Sequence, residues 1–181
     1  CMYGAAKFMI NALTALDGRY ARLTTRLADI FSEYGLIRHR VFVEIEWLKF
    51  ILTDLKLDVE SGMLDEAAVR ELDKIAESFD IEDAKAVKEI EKTTNHDVKA
   101  VEYFIKDRLD KAGLSAIKEW VHFACTSDDI NNTSYALMLK KGKERVHDLL
   151  RELVDDLENK AEAHKAVPMM SRTHGQPASP T

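Results

Sequence analysis

The sequence predicts an all-α protein: a compact helical N-terminal domain followed by the first long helix of a larger helical bundle. Three observations carry this. Apolar residues recur at spacings of three and four through most of the 181 residues. No segment alternates apolar and polar side chains as a half-buried strand does. All three prolines, Pro168, Pro177 and Pro180, stand together near the C-terminal end, so the chain before them is free of this helix breaker.

Residues 1–10, opening on Cys1 and Met2, are read as a leftover of expression or processing and a disordered start. The helical domain is assigned to 11–114. Its first helix pair carries Leu23, Leu27, Ile30, Phe31 and Tyr34, then Ile37, Val41, Ile45, Leu48 and Leu52 after a break expected at Gly35. A turn at Ser61-Gly62 precedes a helix with Asp65 and Glu66 at its positive end and Leu64, Ala68, Leu72, Ile75 and Phe79 along one stripe. Asp80 caps a short helix through Glu91. The next helix carries Val98, Val101, Ile105 and Leu109, and Gly113 ends it.

Residues 115–181 are read as the truncated start of the bundle domain. "SAIKEWVHFACTSDD" interrupts the periodicity, and the longest helix then runs from about Asp128 to Lys165 with Val146, Leu150, Leu153, Leu157 and Ala161 on one face. A helix of roughly 50 Å needs neighbours of similar length to cover such a stripe. The sequence supplies none, so the remaining bundle helices are expected beyond Thr181 or on other subunits. Ser179-Pro180 reads as the N-cap and first position of the next helix.

Composition narrows the function. The formal net charge of -6, with acidic and basic residues interspersed, argues against a nucleic-acid partner, which selects a clustered basic face. Two cysteines, Cys1 and Cys125, form neither a disulfide framework nor a zinc spacing. With no long apolar run, the chain is expected to be cytoplasmic and without a membrane partner.

Four short stretches could carry chemistry, and each also has a plain structural reading. In "LDGRY", Asp17-Gly18 is a turn pair, and Arg19 and Tyr20 could present a guanidinium fork and a hydroxyl to a phosphate. In "TTNHDVKAVEY", Asn95 can act as N-cap with Asp97 in the first turn, or Asn95, His96 and Asp97 can form a donor-rich anion site at a helix start. In "ACTSDDINN", Thr126 and Asp129 match a capping box, while Thr126 and Ser127 also offer two hydroxyls able to hold a carboxylate. In "SRTHGQP", Gly175 permits a positive φ and Pro177 forces Gln176 extended, which makes a turn; His174 in that turn is also a candidate acid or base. The remaining histidines, His39, His122, His147 and His164, are assigned to helical stretches as packing or surface residues.

Together and in this order, "DGRY", "TTNHDVKAVEY", "CTSDDINN" and "SRTHGQPASPT" resemble the N-terminal part of the adenylosuccinate lyase family, within the fumarase/aspartase superfamily. The resemblance runs from about Asn11 to Thr181. It implies β-elimination: adenylosuccinate to AMP and fumarate, and the parallel release of fumarate from the succinylated carboxamide ribotide SAICAR to give AICAR in purine biosynthesis. It implies no metal and no organic cofactor. By the same resemblance His174 is the general acid that protonates the departing nitrogen, Arg19 and Tyr20 hold the phosphate end, and Asn95, His96 and Asp97 line the pocket. Thr126, Ser127 and Thr173 then hydrogen-bond the substrate, chiefly its succinyl part.

The family's general base is a serine on a mobile glycine-serine-rich loop, and nothing in the 181 residues matches it. Family active sites combine residues from three subunits of a homotetramer. The piece alone is therefore expected to be inactive. An argininosuccinate lyase-like enzyme is the nearest alternative, and a non-catalytic helical assembly domain is an alternative of another class.

Overall fold

The structure is a computed structural model that describes residues 13–57 and 65–180. The expected turn at Ser61-Gly62, Leu64 and the reading of 1–10 lie outside the described residues. The chain divides into two units, Cys1–Gly142 and Lys143–Thr181.

The first unit is helical, in the order α1 (Ala21–Phe31), α2 (Glu33–Thr53), α3 (Glu66–Glu77), α4 (Ile81–Thr94), α5 (Asp97–Lys111), a short 3-10 helix (Ser115–Trp120) and the start of α6 (Ser127–His164). α2 is its axis. Ile37, Val41, Ile45, Leu48 and Ile51 of α2 are fully or almost fully buried, and α3, α4 and α5 close over them with Leu72, Val87, Val101, Ile105 and Leu109. Most of these positions are expected from periodicity; Ile51 and Val87 join them, and the expected stripe of α1 does not. A second, smaller cluster joins Val43 of α2, Val98 of α5 and Ile130 of α6. It brings the N-terminal ends of α5 and α6 to the same side of α2.

Helix boundaries follow capping chemistry. Asp65 accepts the Ala68 N–H at 2.7 Å, and Asp80 with Asp83 forms a reciprocal capping box at the start of α4. Gly113, at φ 76°, ends α5 in a Schellman arrangement in which the Leu114 N–H reaches the Leu109 carbonyl at 2.8 Å.

The break between α1 and α2 falls at Ser32, not at Gly35. Ser32 is extended and its hydroxyl accepts the Gly35 N–H at 3.1 Å, which is a helix start. Gly35 lies inside α2 for a packing reason: a Cβ there would stand 2.4 Å from the Ile30 carbonyl oxygen. α1 itself buries no residue, and Leu23 of its expected stripe is 62% exposed.

In the second unit the latter part of α6 presents Val146, Leu150, Leu153 and Leu157 on its open surface. The fold class is all-α as expected, and beyond α6 the structure adds one small hairpin that the periodicity did not show. Met170–Thr173 (β1) and Gln176–Pro180 (β2) pair antiparallel as a small hairpin, with Thr173 opposite Gln176. Ser179-Pro180 is therefore strand, not a helix start. The Ser171 hydroxyl donates to the Ser179 carbonyl at 2.6 Å and accepts its N–H at 3.1 Å, which uses the groups a helix cap would need. Prolines are tolerated because each strand of a two-stranded hairpin is an edge. Among the described residues no helix is long and apolar enough to cross a membrane.

Candidate active site

α4 ends and α5 begins across Asn95 and His96. Asn95 closes α4 in the left-handed conformation, φ 49° and ψ 31°, with its N–H on the Glu91 carbonyl. It is thus a C-cap, and the expected N-cap role passes to the next residue; asparagine tolerates positive φ better than most side chains. His96 is extended and its Nδ1 accepts the Lys99 N–H at 3.2 Å. An accepting Nδ1 places the proton of the neutral imidazole on Nε2. That nitrogen stands 3.4 Å from Ser127 Oγ, at the start of α6.

Asp97, with its Oδ1 3.6 Å from His96 Nδ1, is held by further partners. Its Oδ1 accepts the Val98 N–H at 2.8 Å, and its Oδ2 receives Arg40 Nη2 at 2.5 Å. Burial by itself would raise the Asp97 carboxyl, but the Val98 N–H and the Arg40 guanidinium outweigh it and hold the group below the usual carboxylate value. Arg40 is buried, and its Nε donates to Asn131 Oδ1 at 2.8 Å. One guanidinium on α2 therefore ties the start of α5 to the start of α6. Sequence reading missed it because in "LIRHRVFV" an arginine on a helix looks solvated; only its helical interval from Ile37 and Glu44 marks it as facing inward.

Thr126 and Asp129 form the expected capping box: Asp129 Oδ2 accepts both the N–H and the hydroxyl of Thr126 at 2.8 Å, and the Asp129 N–H points back to Thr126 Oγ1 at 3.4 Å. The Thr126 N–H and hydroxyl together hold the Asp129 carboxyl below its ordinary value. This leaves the two hydroxyls unequal. Thr126 spends its proton on Asp129, whereas Ser127 Oγ, receiving from His96 Nε2, can direct its own proton outward.

The turn before α6 also corrects the assignment of His122 to a helix. It lies in the turn at φ 63°, and its Nδ1 is 2.6 Å from Oε1 of Glu44. Its partner is 78 residues away, beyond the reach of local pattern reading. Burial pushes the Glu44 carboxyl up against the pull of His122, and it pushes the neighbouring Cys125 thiol up to about 11.

Arg19 and Tyr20 end the loop before α1, with the guanidinium carbon 5.4 Å from the centre of the Tyr20 ring. Both side chains are exposed. In the second unit, His174 and Gly175 form the two-residue tip of the hairpin at φ 51° and 78°. Two successive positive φ values define a type I′ turn, whose right-handed twist suits the flanking strands. Thr173 and His174 are exposed. The structure thus brings His96, Asp97, Thr126 and Ser127 together in the first unit, beside Asn95.

A family model described as lyase matches residues 18–181. The chain belongs to this lyase family. Its fold is the helical fumarase/aspartase fold, in keeping with the six described α-helices. Curated relatives carry the name adenylosuccinate lyase. Those of Vibrio cholerae and Haemophilus influenzae are 47% identical over 174 and 176 residues, and that of Escherichia coli K12 is 46% identical over 175. Each match covers 95% of this chain and 38% of the relative, so the chain spans about two fifths of the length of the curated relatives it matches.

A groove of about 610 Å³ between α2 and the start of α6 is lined by apolar side chains such as Phe42, Trp47, Phe50 and Leu137. None of the candidate residues is among the side chains that line it. The polar candidate residues of the first unit gather instead at the paired starts of α5 and α6. No cluster of three or more His, Cys, Asp or Glu able to hold a metal occurs among the described residues.

Proposed function

We propose that the chain supplies part of the active site of an adenylosuccinate lyase, which releases fumarate from adenylosuccinate to leave AMP and from SAICAR to leave AICAR. The observation that carries this reading is the 3.4 Å approach of Ser127 Oγ to His96 Nε2. It joins two motif segments 31 residues apart into one donor-rich surface formed by two helix starts. The names and identities of the relatives point the same way.

In the elimination, a base removes a proton from the carbon next to a succinyl carboxylate, the C–N bond breaks with its electron pair going to nitrogen, and an acid protonates that nitrogen. Negative charge builds on the carboxylate as the proton leaves, and donors fixed in advance stabilise it. His96 Nε2–H polarises the Ser127 hydroxyl, which donates to that carboxylate; Thr126 and Thr173 add further hydrogen bonds, and Asn95 and Asp97 line the pocket. Arg19 and Tyr20 hold the phosphate. His174, carried forward on the hairpin tip, is the general acid. The resemblance assigns the base to a serine outside these residues, in a cytoplasmic homotetramer whose sites are shared between subunits.

The test is His174→Asn in a full-length lyase carrying this chain. Asparagine accepts the positive φ of the tip and keeps the hairpin, but it cannot protonate nitrogen. The expected result is a fall in kcat of about 10²-fold or more. A folded, assembled variant with near-normal turnover overturns the assignment.

A further inference from the structure

The turn between the 3-10 helix and α6 is held by two side chains of α2 that no part of the elimination uses. His122 and Ala124 both adopt positive φ, 63° and 57°, without being glycine. Such residues persist only where their surroundings over-determine them. Here the surroundings are Glu44, whose Oε1 is 2.6 Å from His122 Nδ1, and Trp47, whose Nε1–H donates to the Phe123 carbonyl at 2.8 Å. Glu44 and Trp47 are three residues apart on α2 and so share one face of it.

Glu44 is costly to keep. Its side chain is completely buried, its Oε2 has no hydrogen-bond partner among the described residues, and a second buried carboxylate, Glu102, stands near enough to oppose its ionisation. An apolar residue would fill the same place at lower cost. What the carboxylate does that an apolar residue cannot is grip His122, and the turn so gripped ends at Thr126 and Ser127.

We propose that Glu44, acting through His122, and Trp47 are positioning residues that set the left-handed turn aiming the Thr126 and Ser127 hydroxyls at the substrate carboxylate. This rests on the substrate-holding role given above to Thr126 and Ser127. Neither Glu44 nor Trp47 touches substrate; each acts by fixing the backbone from which α6 starts.

The experiment uses a full-length lyase carrying this chain with Glu44→Leu, Glu44→Gln, Trp47→Phe, Thr126→Ala and Ser127→Ala. Glu44→Leu removes the grip and is expected to raise KM about tenfold, with a smaller fall in kcat, because the hydroxyls it misaligns hold the carboxylate in the ground state as well as in the transition state. Glu44→Gln keeps an oxygen that accepts from His122 Nδ1–H and is expected to restore KM to within about twofold. Trp47→Phe keeps an aromatic ring and removes the N–H; a rise of about threefold in KM is expected, and this variant decides the matter if Glu44→Leu does not fold.

An unchanged KM in folded Glu44→Leu, or in Trp47→Phe should Glu44→Leu not fold, overturns the proposal. If Thr126→Ala and Ser127→Ala themselves leave KM unchanged, the substrate-holding reading fails and the inference falls with it. If those two raise KM while the α2 variants do not, only the positioning role is overturned.

Discussion

Arg40 and Asp97 form an unequal pair. The guanidinium donates to Asp97 Oδ2 at 2.5 Å from a side chain that is 7% exposed, while the carboxylate it grips is 46% exposed. The two partners therefore differ in what each has to lose. Asp97 can turn to water; Arg40 cannot.

Removing the carboxylate with Asp97→Ala strands a buried guanidinium on Asn131 alone, and the expected cost is about 2–3 kcal/mol, below the range for a fully buried pair because one partner is wet. Arg40→Met keeps the aliphatic stem and leaves an aspartate that can hydrate, at an expected cost of about 1 kcal/mol. Urea midpoints of the two variants check the order. Arg40→Met proving the more costly would show that the guanidinium serves packing more than charge.

Asp97 also gives stability an acid limb. Its folded carboxyl lies below its ordinary value of 3.8, so the folded state binds this proton more weakly than the unfolded one. The contribution is complete above the ordinary value and is lost as pH falls through the lowered one. Thermal midpoints of the wild type and Asp97→Asn are expected to differ most at about pH 5 and above and to converge toward about pH 2. A gap that stays constant over that range would mean that the carboxylate charge contributes nothing.

Two glycines are expected to answer differently to alanine. At Gly35 a Cβ meets the Ile30 carbonyl carbon and oxygen at 2.7 and 2.4 Å, so backbone must move; at Gly142 it meets the tip of the Phe31 ring at 2.2 Å, and that ring is 48% exposed and can swing aside. Gly35→Ala is expected to cost about 2–3 kcal/mol, toward the upper end for overpacking, and Gly142→Ala about 1 kcal/mol. Thermal melts of both variants decide it. Equal losses would show that Phe31 is as fixed as the α1 backbone.

Much of the fold was legible in the sequence because its helices are amphipathic and well capped. Leu72, Val101, Ile105 and Leu109 are core by periodicity, and Asp65, Asp80 and Gly113 mark ends by their own chemistry. Boundaries went astray where two residues offered competing signals. Gly35 looks like a breaker but is small for the sake of the Ile30 carbonyl, and Ser32, which looks unremarkable, makes the break. Asn95 and His96 can each cap, and their order is fixed by the left-handed turn that Asn95 takes. The hairpin at 170–180 is invisible to pattern reading because its strands are short and proline-bearing, with almost every position exposed, so no alternation exists to be read. Of the site, the motif residues were visible locally, but Arg40, Glu44 and His122 depend on partners 57 to 91 residues away.

The type I′ tip places two demands on position 174 that a saturation library would separate. If His174 has the acid role proposed above, asparagine and aspartate satisfy the backbone and fail the proton transfer, so they would score as folded and silent. Valine and isoleucine fail the backbone first and would score as losses of folding. Histidine is among the few residues tolerated at positive φ that also titrate near neutrality. A screen on activity alone would return histidine without saying why; paired with a screen on folding, the same library would measure how much of the tolerance at this position is set by the turn and how much by the chemistry.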